Sequence, residues 1–313
     1  MSERSAADGE RSAADAERSA ADEARVTELT CLVTGAASAR GIGRGVALTL
    51  AAQGRPLALL DLDGAGLDAA AEAAREAGAP VVATAEVDVA DAASVDAAIT
   101  TLEAASVADA GSSPSSGPMA STGAVRSTDA VPPIGAVRST DAVPPIGALV
   151  HCAGIANPTP FLEMTSASFQ RTLAVNTLGL FHLAQRVLPG MLEQGLGRIV
   201  AMSSTAAQDG GGNFSTSAYA ASKAGVEGLI RGLAKEVAGT GVTTAAIAPA
   251  NIDTDIMGGR LEGERRAQFV ARTPVGRLGT TRELGELVAF LVGPHGGFTT
   301  GATYNLNGGL RVG

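Results

Sequence analysis

From Val26 onward, short apolar runs alternate with alanine-rich amphipathic stretches. "LTCLVTG" reads as a short buried strand, "RGVALTLAAQG" as a helix closed by Gly54, and "RPLALLDLD" as a second strand. "GLDAAAEAAREAG", "PVVATAEVDV" and "ASVDAAITTLEAA" continue the series as helix, strand and helix. Farther along come a helix around "SFQRTLAVNTLGLFHLAQRVLPGML", a strand "GRIVAMSS", a helix over about 218–238 and a strand "TTAAIAP". A helix near "RELGELVAFLVG" and a short strand "ATYNLNGG" complete the pattern. This alternation predicts the α/β class, one doubly wound parallel sheet with helices on both faces.

Two segments break the pattern. Residues 3–23 are three copies of a seven-residue unit, ERSAADG, ERSAADA and ERSAADE. Alanine is the only apolar residue in the repeat, too weak a seam for a coiled coil, so residues 1–25 are expected to be a solvated, partly helical tail. After Ala104, Gly, Ser and Pro dominate until "IGALVHCAG" restores a strand near Ile146. Within that stretch "GAVRSTDAVPPI" occurs twice, at 123–134 and 135–146. A break of this length without periodicity is expected to be a surface insertion at about 105–145. Its second copy would hold the native connection and its first copy be a neutral expansion. Residues 26–313 then form one domain around it.

Composition narrows the function classes. A chain of 313 residues with 45% hydrophobic residues can bury a full core. Its net charge of −9, with no Lys/Arg cluster, makes nucleic acid and anionic membrane surfaces poor partners. No apolar run approaches the roughly 18 residues of a spanning helix, and the N-terminus lacks the basic-then-apolar order of a signal peptide. A soluble, cytoplasmic protein is expected. The two cysteines, Cys31 and Cys152, show no metal or redox spacing, and no disulfide or metal site is expected from them.

"VTGAASARGIGRG" lies between the first strand and first helix. Gly35, Gly41 and Gly43 permit a tight turn and close backbone approach, and the helix N-terminus offers free N–H groups to a pyrophosphate. In that setting the motif points to a Rossmann-type dinucleotide site, with Ser38, Arg40 and Ile42 in the same loop. Asp61 ends the second strand, eighteen positions after Gly43. A carboxylate there can accept from ribose hydroxyls and repel a 2′-phosphate, favouring NAD over NADP; Arg40, a cation in the cradle, argues the other way.

"SAYAASKAG" places Tyr219 and Lys223 four apart on a predicted helix, hence on one face. An ammonium there can stabilise a phenolate, lowering a pKa normally near 10 so that tyrosine exchanges a proton near neutrality. The chain holds only two tyrosines and two lysines, and one of each falls at this spacing. With the glycine-rich turn, these residues resemble those of the classical short-chain dehydrogenase/reductases, over nearly everything from Glu28 to Gly309 apart from the insertion.

The resemblance implies a catalytic tetrad. Tyr219 and Lys223 form its Tyr-x-x-x-Lys pair, Ser204 of "AMSSTAAQ" polarises the substrate carbonyl with Ser203 as the alternative, and Asn176 of "AVNTLGLF" holds a relay water. It also implies cofactor contacts from Asp88 and Val89 in "EVDVAD", from Ala153 and Gly154 in "HCAG", from Pro249, Ile252 and Thr254 in "PANIDT", and from Tyr219 and Lys223 themselves, with Lys223 binding the nicotinamide ribose. Three departures stand out. Ala250 replaces a usual glycine, "HCAG" stands where "NNAG" is usual, and the first two cradle glycines are six apart where four is usual. His151 is expected to pack rather than react. "GGRLEGERRAQ", residues 258–268, is either a charged solvent helix or a substrate lid.

The expected activity is NAD-dependent interconversion of a secondary alcohol and a ketone, by a homotetramer on the family's pattern. Two alternatives stay open. One is an NADPH-dependent ketone reductase resembling the 3-oxoacyl carrier-protein reductases, and the other a dinucleotide-binding protein without catalysis.

Overall fold

The structure, a computed structural model, describes residues 25–107, 137–138, 142–211, 216–256 and 259–312. The repeat tail over 1–24 and most of the insertion, 108–136 and 139–141, lie outside the described residues.

Strands β1 (Thr30–Thr34), β2 (Leu57–Asp61) and β3 (Val82–Glu86) are each followed by a helix: α1 (Ile42–Ala52), α2 (Gly64–Ala77) and α3 (Ala92–Val107). After a two-residue strand β4 (Val137–Arg138) come β5 (Ile146–His151), α4 (Ser166–Leu173), a π-helical turn (Ala174–Leu178) and α5 (Gly179–Gln194). The chain continues through β6 (Gly197–Met202), α6 (Ala206–Asp209), α7 (Ser217–Glu236) and β7 (Val242–Pro249). It ends with α8 (Gly263–Arg272), α9 (Thr281–Val292), a 3-10 turn (Pro294–Phe298) and β8 (Ala302–Leu306).

The sheet order is β4-β3-β2-β1-β5-β6-β7-β8, and every neighbouring pair is parallel except β3 with β4. Successive residues of β1 serve opposite layers, as the period of two requires. Cys31 and Val33 pack with Val46 and Leu50 of α1 and Leu284 and Val288 of α9. Leu32 packs with Ile99 of α3, Leu183 of α5 and Val226 of α7. Burying each such leucine contributes about 1.5–3 kcal/mol, and both faces of the sheet are covered in this way. No helix among the described residues is long and apolar enough to cross a membrane.

Strand order reverses between β1 and β5, so a crevice opens beyond their carboxyl ends, where open α/β sheets bind ligands. Three details differ from the sequence expectation. The single helix expected around residues 168–192 is divided by the π-helical turn, α3 runs on to Val107, and the insertion supplies an edge strand. In that edge strand Val137 pairs antiparallel with Ala85 and Arg138 with Thr84.

Candidate active site

The chain leaves β1 at Thr34, turns at Gly35 (φ 68°) and enters α1 after Gly41. A Cβ on Gly43 would lie 2.2 Å from the Gly35 carbonyl oxygen, so the first turn of α1 sits directly on the end of β1. α1 has neither a side-chain N-cap nor an acidic residue in its first turn. Its leading N–H groups are therefore available to an anion, and the cradle fits the pyrophosphate of a dinucleotide.

Arg44, which sequence reasoning passed over, holds that cradle in shape. Its buried guanidinium donates to the carbonyls of Ala36 (3.1 Å), Ala37 (3.0 Å), Gly66 (2.9 Å) and Ala69 (3.1 Å). The signal was present in "GIGRG", because a cation in a helix's first turn opposes the macrodipole and needs local acceptors.

Arg40 is turned away from the cradle. Its Nη2 donates to Asp253 at 2.6 Å and its Nε to Asp255 at 2.9 Å, while Asp253 also takes Arg266 at 2.9 Å. The lengthened glycine loop thus grips the β7–α8 connection. Within that connection Asn251 is the only described non-glycine residue with positive φ (52°), and its side chain donates to Thr273 Oγ1 at 2.8 Å. Ala250, in the position of the family's glycine, needs no such backbone freedom; the strained position is one residue later.

Asp61 sits at the end of β2 and accepts the N–H groups of Ala37 (2.9 Å) and Leu62 (2.7 Å). Asp63, not Asp61, caps α2. Asp88 accepts from the Ala90 N–H and pairs with Arg171 at 3.3 Å, and the Val89 carbonyl lies 3.1 Å from His182 Nδ1. Ser38 is exposed, with its carbonyl bonded to the Gly41 N–H.

Tyr219 and Lys223 project from α7 toward the end of β6. The two neighbouring serines there diverge, as successive strand-end residues do. Ser203 is buried and donates to Glu227 Oε1 at 2.8 Å, whereas Ser204 lines the cleft and hydrogen-bonds the Tyr219 phenol. Ser204 Oγ also accepts the Ala206 N–H at 3.2 Å, leaving its own proton to donate.

Burial pushes the phenol above its ordinary pKa, and the Ser204 hydrogen bond opposes that. The sequence expectation was a phenol lowered by Lys223. In the structure the ammonium instead donates to the Met202 carbonyl at 2.7 Å and stands 5.7 Å from the Tyr219 ring centre. The phenol is therefore held protonated at neutral pH, in the form of a general acid.

Asn176 lies in the π-helical turn, fully buried. Its Nδ2 donates to the Ile155 carbonyl (3.1 Å) and Ser222 Oγ (2.9 Å), and its Oδ1 accepts the Ile155 N–H (2.8 Å). Ser222 in turn donates to the Tyr219 carbonyl at 2.7 Å. With both amide protons used, a relay water can be held only by the remaining Oδ1 lone pair or the main chain. Gly154 closes this region, since a Cβ there would lie 3.3 Å from Asn176 Oδ1 and 3.4 Å from Lys223 Nζ.

His151 ends β5, fully buried, with Nδ1 3.1 Å from Thr34 Oγ1. That hydroxyl already accepts the N–H groups of Cys152 and Ala153, so its single proton goes to Nδ1 and the ring's proton resides on Nε2. Burial and the Lys223 charge hold the imidazole down at about 3, hence neutral. Burial pushes the Cys152 thiol up to about 12, and both cysteines are free.

Burial also lowers Lys223 from 10.5 to about 8. Its charged form is therefore disfavoured in the folded chain; the penalty is complete below pH 8 and disappears as pH rises to 10.5. Lys223→Met is accordingly expected to melt at a higher temperature than wild type at pH 7, with the difference shrinking between pH 8 and 10.5. Thermal denaturation across that range checks it, and a pH-independent difference would remove burial as the cause.

Tyr219 and Ser204 open into a cleft also lined by Ile42, Pro249, Ile252 and Thr254. α8 forms part of its wall through Phe269 and Arg272. Residues 259–268 lead into and begin α8 with a charged, exposed face, and the residues of this helix that line the cleft, Phe269 and Arg272, follow them; Phe269 packs with Leu261 and Leu278.

A family model described as enoyl-(acyl carrier protein) reductase matches residues 35–109 and 135–311. An uncharacterised short-chain type dehydrogenase/reductase of Sinorhizobium fredii is 34% identical over 289 residues, covering 90% of this chain and 97% of that protein. The 2-dehydro-3-deoxy-L-rhamnonate dehydrogenase (NAD(+)) of a Sphingomonas species is 34% identical over 279 residues, covering 89% and 93%. Among solved structures, a 3-oxoacyl-[acyl-carrier protein] reductase from Brucella melitensis superposes with a TM-score of 0.73 at 26% identity, covering 92% of each chain. With its parallel sheet, its glycine turn and these matches, the chain belongs to the classical short-chain dehydrogenase/reductase family.

Proposed function

We propose that this protein is an NAD(H)-dependent oxidoreductase that interconverts a secondary alcohol and a ketone. The observation that carries the reading is that Ser204 and Tyr219 meet at one cleft, with the buried Lys223 ammonium 5.7 Å from the Tyr219 ring centre, beside an uncapped helix N-terminus. Gly35, Gly41, Ile42 and Gly43 would hold the pyrophosphate, Asp61 the adenosine ribose, and Ala153, Pro249 and Thr254 the nicotinamide side. When bound, the dinucleotide supplies or accepts the hydride.

The chain's own residues then manage the oxygen and its proton. Ser204 Oγ–H donates to the substrate oxygen and fixes its position. Tyr219 Oη gives up its proton to that oxygen in the reducing direction and takes it back in the oxidising one. Lys223 keeps a positive charge near the ring, favouring the phenolate left behind. Asn176 ties the helix carrying both residues to the loop after β5 through Ser222 and Ile155.

Asp61 and Arg40 support NAD over NADP. The carboxylate faces the cradle loop, and the two cradle arginines are occupied, Arg40 by Asp253 and Asp255 and the buried Arg44 by four main-chain carbonyls. Likeness to the Brucella reductase favours a second reading, an NADPH-dependent ketone reductase. Asp61→Ala separates them. Wild type is expected to have the higher kcat/KM with NADH, and the variant to lose about 10- to 100-fold of that preference, as for a lost hydrogen bond to a charged group. An equal preference for NADPH in both proteins would select the second reading.

A further inference from the structure

The cleft beside Tyr219 contains a cation that the proposed chemistry does not use. Arg272 ends α8 and lines the cleft with Phe269 of the same helix. Nearby arginines are occupied: Arg40 by Asp253 and Asp255, Arg266 by Asp253, Arg260 by Glu262 and Arg277 by Glu283. The Arg272 side chain has no hydrogen bond or ion pair among the described residues. Asp209, the other charged residue lining the cleft among the described residues, accepts the Gly211 N–H at 2.9 Å and forms no ion pair with Arg272.

A cation in a helix's last turn is favoured by the macrodipole, which accounts for its sign. It does not account for its place in the wall of a cleft whose other lining includes Ile42, Ile252, Ile256 and Leu310. The exposed Arg272 guanidinium has no protein partner among the described residues and offers a planar, two-pronged donor set at the mouth of the cleft.

We infer that the substrate is a hydroxy acid or its keto acid, with its carboxylate held by Arg272 and its reacting oxygen held by Ser204 and Tyr219. This rests on the oxidoreductase reading above. Arg272 is a specificity residue in this scheme. It takes no part in proton or hydride transfer and discriminates between an acid and an uncharged isostere.

The test compares hydroxy acids with their own primary amides, for instance gluconate with gluconamide and 3-hydroxybutyrate with 3-hydroxybutyramide. The full-length wild type, Arg272→Met and Arg272→Lys are assayed with NAD and with NADP, and the readout is the acid-to-amide ratio of kcat/KM. In wild type the best acid is expected to exceed its amide by about 10- to 100-fold, the range of a charge-assisted hydrogen-bonded contact. In Arg272→Met that ratio should collapse toward unity, mainly through KM, and Arg272→Lys should restore part of it. A ratio unchanged by Arg272→Met, or a wild type that prefers the amides, overturns the inference and leaves the oxidoreductase reading standing. No turnover of any alcohol or ketone, with NADH still bound, overturns both.

Discussion

Tyr219→Phe is expected to lower kcat by about 10²- to 10⁴-fold, the usual contribution of a positioned acid or base, while NADH still binds. The substitution keeps the ring, its packing on α7 and the Lys223 ammonium over its face, and removes only the hydroxyl. That hydroxyl is the group hydrogen-bonded to Ser204, and burial holds it protonated at neutral pH. Without it the positioned donor to a forming alkoxide is lost. The cradle at Gly35 to Gly43 does not touch the lost atom, so NADH affinity should stay within about a few-fold of wild type. Fluorescence titration with NADH and steady-state turnover on one sample check both halves. Retained turnover would remove Tyr219 from the chemistry.

The second large effect belongs to Gly43. A Cβ at this position would meet the Gly35 carbonyl oxygen at 2.2 Å, the Gly35 carbonyl carbon at 2.6 Å and the Thr34 oxygen at 2.7 Å. All three are backbone atoms at the end of β1, so no flexible side chain can yield. Gly43→Ala must push the first turn of α1 off the strand, disturbing the N–H groups that would face the pyrophosphate. Overpacking of this kind costs about 1–3 kcal/mol, and NADH affinity should fall about 100-fold or more as the helix N-terminus loses its aim. Gly228→Ala is the matched control: it lies exposed in α7 with nothing within 4 Å of an added Cβ, and should be neutral or slightly stabilising. Calorimetric titration with NADH and thermal denaturation read both variants. Unchanged NADH affinity in Gly43→Ala would separate the glycine turn from cofactor binding.

What could be read from the chain followed the range of the signal. β1, β2 and β3 are short apolar runs closed by turn residues, so each declares itself locally, and Tyr219 and Lys223 share one helix face by spacing alone. The choice between Ser203 and Ser204 was open because two successive strand-end residues face opposite ways, and only the sheet's register decides which meets the phenol. The π-helical turn carrying Asn176 has no compositional mark, since one extra residue in a helical turn leaves its apolar spacing nearly intact. Arg40 lies more than two hundred positions from Asp253 and Asp255, and Arg272 stands more than fifty from Tyr219. Contacts across such distances depend on how the sheet folds the chain back, which no local pattern encodes.

The most direct measurement of hydride transfer uses NADH deuterated at the transferable position, incubated with the full-length protein and a panel of ketones and keto acids, with the alcohols analysed by mass spectrometry. One deuterium carried into each molecule of alcohol formed is the predicted result. Tight binding of the labelled NADH with no deuterium transferred to any member of the panel would contradict the assignment as an oxidoreductase.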